Sequence, residues 1–138
     1  MTLDRKRLGE QGEKQAADYL KQQGFTIVET NFSTRFAEID IIALENSRGV
    51  IPKVFQALSP KPRRLCFVEV KTRTSMKYGR AALAVTPAKQ EKIILAAQAF
   101  LQSRPQFREH PLGFDVVEVY NHQGHWEIHH IPHAFQCN

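Results

Sequence analysis

Three acids and one lysine are the residues through which this sequence could do chemistry: Glu13, Asp40, Glu69 and Lys71. Asp40 stands between Ile39 and Ile41 in the otherwise apolar run FAEIDIIAL, residues 36–44, where an ionised carboxylate is costly to bury without a partner. Glu69 and Lys71 interrupt a second run, FVEVKTR, residues 67–73. Residues two apart on a strand point to one face, so this acid and base lie side by side on a rigid element. Alone, the pair reads either as an ordinary edge-strand ion pair or as part of a site. If the two runs pair as a hairpin with a modest stagger, Asp40 comes beside Glu69 and Lys71, and a helix bearing Glu13 can join them. The competing reading is a salt-bridge cluster on a solvated face.

The functional version has a definite chemistry. Hard Mg²⁺, or Mn²⁺ in its place, takes carboxylate oxygens and phosphate oxygens, which suits Asp40 and Glu69 better than any histidine arrangement in the chain. Such an ion neutralises charge on a phosphoryl group and acidifies a bound water, while Lys71 serves as catalytic base or electrophile. Phosphodiester hydrolysis is the reaction class that follows.

The elements that must position these groups are legible from periodicity. From Leu3 to Gln23 good helix formers dominate, with Leu8, Gly12, Ala16, Tyr19 and Leu20 at three- and four-residue intervals, which predicts an amphipathic helix closed by Gly24. FTIVETNF and FAEIDIIAL read as strands. Residues 45–64, with Pro52, Pro60, Pro62, Lys53, Lys61, Arg63 and Arg64, read as a long basic loop insertion, either a tolerated decoration or a substrate contact. FVEVKTR is the third strand, Thr86 and Pro87 suit the start of a helix running to Ser103, and GFDVVEVY and HWEIHHI are two more strands around a turn at 121–124. The order α-β-β-β-α-β(-β) predicts a single α/β domain over residues 1–138, a mixed sheet flanked by helices.

Composition bounds the partners. Nineteen Lys and Arg against 14 Asp and Glu favour a polyanion, with DNA the expected partner. The longest apolar runs fall short of the roughly 18 residues of a membrane span, and the N-terminal residues lack the apolar core of a secretory signal, so a cytoplasmic location without membrane association is expected. Cys66 and Cys137 sit in no paired spacing and are expected as free thiols. No small-molecule organic cofactor is signalled.

The segments GEQGEKQAADYLKQQGF, ETNFSTRFAEIDIIAL, FVEVKTRTSMKYGRAALAVTPAKQEKI and FDVVEVY together resemble the YraN-type family, predicted endonucleases distantly similar to archaeal Holliday junction resolvases. The resemblance covers nearly the whole chain. It implies a restriction-endonuclease-like, PD-(D/E)XK core whose motif falls on Asp40, Glu69 and Lys71, with Glu13 matching the helix glutamate of resolvase-like members. It therefore implies metal ligation by Asp40, Glu69 and Glu13, action on branched or structured DNA, and a homodimer like that of the resolvases. Three departures stand out: Ala37 where the family usually has glycine before Glu-Ile-Asp, Gly113 where an arginine commonly precedes Phe-Asp, and the unusually long loop at 45–64. Ala37 suggests backbone that needs no positive φ, and Gly113 a lost phosphate or carboxylate contact.

Secondary signals leave alternatives open. Arg73 and Lys89 are candidate DNA phosphate contacts, against simple surface solvation. Five late histidines, His122, His125, His129, His130 and His133, raise a zinc reading, but adjacent His129 and His130 would face opposite sides of a strand. Trp126 suits either core packing or base stacking. Beside the endonuclease stands an alternative of another class, a nucleic-acid-binding or protein-interaction module that keeps the scaffold without cleaving.

Overall fold

The computed structural model describes residues 2–45, 63–74 and 85–136. Helix α1 (Thr2–Gln22) leads into β1 (Thr26–Ser33), β2 (Glu38–Leu44) and β3 (Leu65–Arg73); α2 (Pro87–Ser103), a short 3₁₀ turn (Pro105–Phe107), β4 (Leu112–His122) and β5 (His125–Phe135) follow. The sheet order is β1-β2-β3-β4-β5, antiparallel except for the parallel pair β3 and β4. That exception has a cause: α2 lies between β3 and β4 in the chain, and a parallel pair needs a crossover of this kind. The mixed sheet and its two helices match the expected order. Most of the basic loop, residues 46–62, and Cys137 lie outside the described residues.

Local chemistry explains the boundaries. Gly24, at φ 95°, closes α1 in the left-handed region, and Phe25 N–H donates to Leu20 O at 2.9 Å. The Thr86 hydroxyl accepts the Lys89 N–H at 3.2 Å, capping α2, whose first position is Pro87. Gln123 and Gly124, both at positive φ, form the two-residue β4–β5 turn, and Asn121 Oδ1 accepts the Gly124 N–H.

A helix covers each face of the sheet. Buried Ala16 and Leu20 of α1 pack with Ile41, Ala43, Cys66, Val68, Val117 and Val119; Ile93, Ala96, Ala97 and Phe100 of α2 pack with Ile39, Phe67 and Phe114 on the other side. With both faces covered, β3 is buried from Leu65 to Val70 and β4 from Gly113 to Tyr120 without alternation. Trp126 packs against the α1-side core. A Cβ on Gly12 would fall 1.9 Å from Thr72 Oγ1 and 2.9 Å from both Thr72 Cβ and Cγ2, so glycine there lets α1 settle onto β3.

Across β3, β4 and β5 runs a buried ionic network. Arg64 donates to both Asp115 oxygens, at 3.1 and 3.2 Å, His130 Nε2 lies 2.7 Å from Asp115 Oδ2, and the His133 N–H donates to Asp115 Oδ1. Burial alone would raise the Asp115 pKa, but its hydrogen bonds and the Arg64 charge hold it below the usual carboxylate range. Gly113 belongs to the same network, since a Cβ there would sit 2.0 Å from Arg64 Nη1. Arg64, the residue just before β3, thus takes the space beside Gly113 and binds the Asp115 carboxylate.

Candidate functional site

The site lies where β2 and β3 part. Their ladder runs from Leu44↔Leu65 to Ile41↔Val68 and stops. One residue beyond, Asp40 Oδ2 accepts the Val70 N–H at 2.8 Å, so a side chain takes over where a backbone carbonyl would have continued the ladder. β2 also turns there: Ile39 packs with the α2-side core and Ile41 with the α1-side core, although residues two apart on a regular strand share a face. That is why an acid interrupts FAEIDIIAL.

Glu69 and Lys71 share a face of β3, with Lys71 Nζ 3.2 Å from Glu69 Oε1. β3 is the central strand, so the pair is no edge-strand ion pair. Glu69 is buried, and its Oε1 also accepts Lys89 Nζ at 2.6 Å. Burial disfavours the charged Lys89 ammonium, but the hydrogen bond and charge of Glu69 outweigh that and raise its pKa. Lys89, a candidate phosphate contact, thus arrives from the first turn of α2 as a partner of Glu69. Arg73, two residues past Lys71, has a buried Nε with no hydrogen-bond partner among the described residues.

Glu13 reaches Asp40 from α1. One oxygen each from Glu13, Glu38 and Asp40 lie within 4.8 Å of one another. Asn31 ties the group together: with its amide oriented to satisfy both neighbours, its nitrogen donates to Glu13 Oε2 at 3.0 Å and to Glu38 Oε1 at 2.9 Å. Glu69 stands beside this trio rather than within it. Burial and then the Glu69 charge push the Asp40 pKa up to about 7, against the Val70 hydrogen bond; burial and then Glu38 raise that of Glu13.

These groups line one cleft. Glu13, Glu38, Asp40 and Glu69 form an acidic side, and Thr86, Lys89 and Lys92 face it from α2. An oxygen-only set of repelling carboxylates suits a hard divalent cation, which would offset the burial and the repulsion that raise these pKa values. Among the described residues no histidine joins such a group. His129 lies 3.4 Å from Glu127 while His130 binds Asp115, on opposite faces of β5.

The reading from sequence named Glu13, Asp40, Glu69 and Lys71 but missed Glu38 and Asn31. Glu38 was visible two residues before Asp40; its role depends on the turn of β2. Asn31, at φ 53°, stands opposite Asp40 across the β1–β2 ladder, where neighbouring Thr30↔Ile41 and Phe32↔Ile39 are paired. An asparagine inside a strand run was its one signal.

Fold and site together define a mixed α/β protein that gathers four carboxylates and two lysines in a cleft where two central strands part. The chain belongs to the UPF0102 family, described as an uncharacterised protein family, whose model matches residues 12–119. A UPF0102 protein of Desulforapulum autotrophicum is 41% identical over 138 residues, the full length of both chains. One from Thermosynechococcus vestitus is 41% identical over 130 residues, 93% of each chain, and one from Chlorobium chlorochromatii 43% identical over 134, covering 93% of this chain and 90% of the relative. Among the described residues no helix is long and apolar enough to cross a membrane.

Proposed function

We propose that this protein is a metal-dependent endonuclease with a restriction-endonuclease-like core, hydrolysing phosphodiester bonds in DNA of branched or otherwise structured form. The observation that carries this reading is the convergence of Glu13, Glu38 and Asp40 beside the Glu69–Lys71 pair. Asp40, Glu13 and Glu38 would hold Mg²⁺ or Mn²⁺, with buried Glu69 beside them. When bound, the ion neutralises phosphoryl charge and acidifies a water.

The chain's own residues do the rest. Lys71 Nζ, steered by Glu69, orients the attacking oxygen and stabilises the charge that develops on the phosphoryl group. Lys89, Lys92 and the capped start of α2 receive phosphates on the opposite wall, and Arg73 extends the basic path along β3. The net positive charge agrees with a polyanionic substrate.

The test is nicking of plasmid, single-stranded, flap and four-way-junction DNA with Mg²⁺ or Mn²⁺. Asp40→Ala and Lys71→Ala should each lower the rate by about a hundredfold or more; equal rates in these variants would sink the assignment. One observation favours a second reading, a nucleic-acid-binding module that does not cleave: Glu69 is already engaged by both lysines. Salt-dependent DNA binding without cleavage on any of the four substrates would select it.

A further inference from the structure

We infer that the β1–β2 turn carries a stacking platform for an unpaired nucleobase next to the phosphate in the cleft, formed by Phe36 with Arg35. This rests on the nucleic-acid reading above and goes beyond it by naming the state of the base that is bound. Phe36 is a large aromatic residue that packs with neither apolar core, although its neighbour Ala37 does. It lines the cleft together with Glu38 and Asp40.

Arg35 lies over the Phe36 ring, its guanidinium carbon 4.9 Å from the centroid. The guanidinium covers one face of the ring and adds positive charge beside it, and single-stranded bases stack on aromatic rings and on arginine guanidinium planes alike. The backbone beneath the platform is held stiffly. The Thr34 hydroxyl accepts the N–H groups of Phe36 and Ala37, at 3.0 and 3.1 Å, and donates to Ala37 O, while Thr34 N–H donates to the same carbonyl. Little backbone ordering remains to be done on binding.

Across the cleft Lys92 offers charge to a phosphate, beside Lys89, whose ammonium is held by Glu69. A strand passing between the walls would set its phosphate against the lysines and a base against Phe36. In an intact duplex both faces of that base are covered by its neighbours, so the platform selects a frayed, flapped or single-stranded site.

The test measures binding by fluorescence anisotropy, with Ca²⁺ in place of Mg²⁺. The probes are a labelled DNA strand of about ten nucleotides and the same strand with abasic sites. Phe36→Ala and Phe36→Leu should each weaken binding of the normal strand about tenfold, Phe36→Trp should hold it within about twofold, and none should change the weaker binding of the abasic strand. Unchanged affinity in Phe36→Ala, an equal loss on both strands, or no binding of either strand by the wild type would overturn the inference. Cleavage by the wild type together with a Phe36-independent affinity removes the platform and leaves the endonuclease. Phe36-dependent binding without cleavage removes the endonuclease and leaves the platform.

Discussion

Asp40 and Val70 are joined by a hydrogen bond from backbone to side chain, 2.8 Å long, at the point where β2 and β3 cease to pair. The bond both satisfies an amide that the parting strands would orphan and fixes a carboxylate in the gap. Its donor lowers the Asp40 pKa, yet burial and Glu69 win and raise it to about 7.

That balance predicts a pH-dependent cost. An acid whose folded pKa exceeds its unfolded value binds more protons when folded, so its contribution to stability falls as pH rises from about 4 to about 7. Asp40→Asn keeps an acceptor for Val70 without the charge. Thermal melts should show this variant more stable than wild type at pH 8, by about 3 °C, and the gain should shrink toward pH 5.

Cation binding is expected to release a proton. With Asp40 half protonated near neutrality, Mn²⁺ affinity should rise with pH and level off above about 7. Calorimetry in two buffers of different ionisation enthalpy reads the released proton directly. Glu38→Gln should weaken Mn²⁺ about tenfold, as loss of one charged ligand does.

Gly12 sets the approach of α1 to β3. In Gly12→Ala the new methyl meets Thr72 whichever way that side chain rotates, because Oγ1, Cγ2 and Cβ all crowd it. Urea unfolding should show a loss of about 2 kcal/mol. Thr72→Ala in the same chain should recover part of it, which a double-mutant cycle measures.

The Arg64–Asp115 pair should be expensive to break. Arg64→Ala leaves a fully buried carboxylate with the His130 ring and one backbone N–H, at a cost of about 3 kcal/mol. Adding Gly113→Arg to that variant refills the space Arg64 vacates and should return more than half of the loss in urea unfolding.

Asp115 also governs the acid limb of stability. Its folded pKa lies below the unfolded value, so its stabilising contribution is present above about pH 4 and disappears as pH falls through the folded pKa. In Arg64→Ala the onset of acid unfolding should move to higher pH, as followed by circular dichroism.

Much of this protein was legible residue by residue. Gly24 and the Gln123–Gly124 turn declared themselves through backbone conformation, Thr86 and Pro87 through capping, and the two helices through spacing. Ala37 is not among the residues at positive φ, in keeping with the absence of glycine there. The continuous burial of β3 and β4 made their runs conspicuous but hid their order, since a strand covered on both faces carries no alternation to say which face is which.

The sequence by itself determined which elements form and which acids and bases were out of place in apolar runs, because propensity, turn chemistry and the cost of an unpaired buried charge act locally. Only the tertiary structure decided their company. It made β3 central, turned β2 at Asp40, brought Glu38 and Asn31 to Glu13, set Lys89 on Glu69, and laid Arg64 against Gly113. Such pairings depend on where a ladder stops and how closely a helix settles, and those are fixed by packing between residues far apart in the chain.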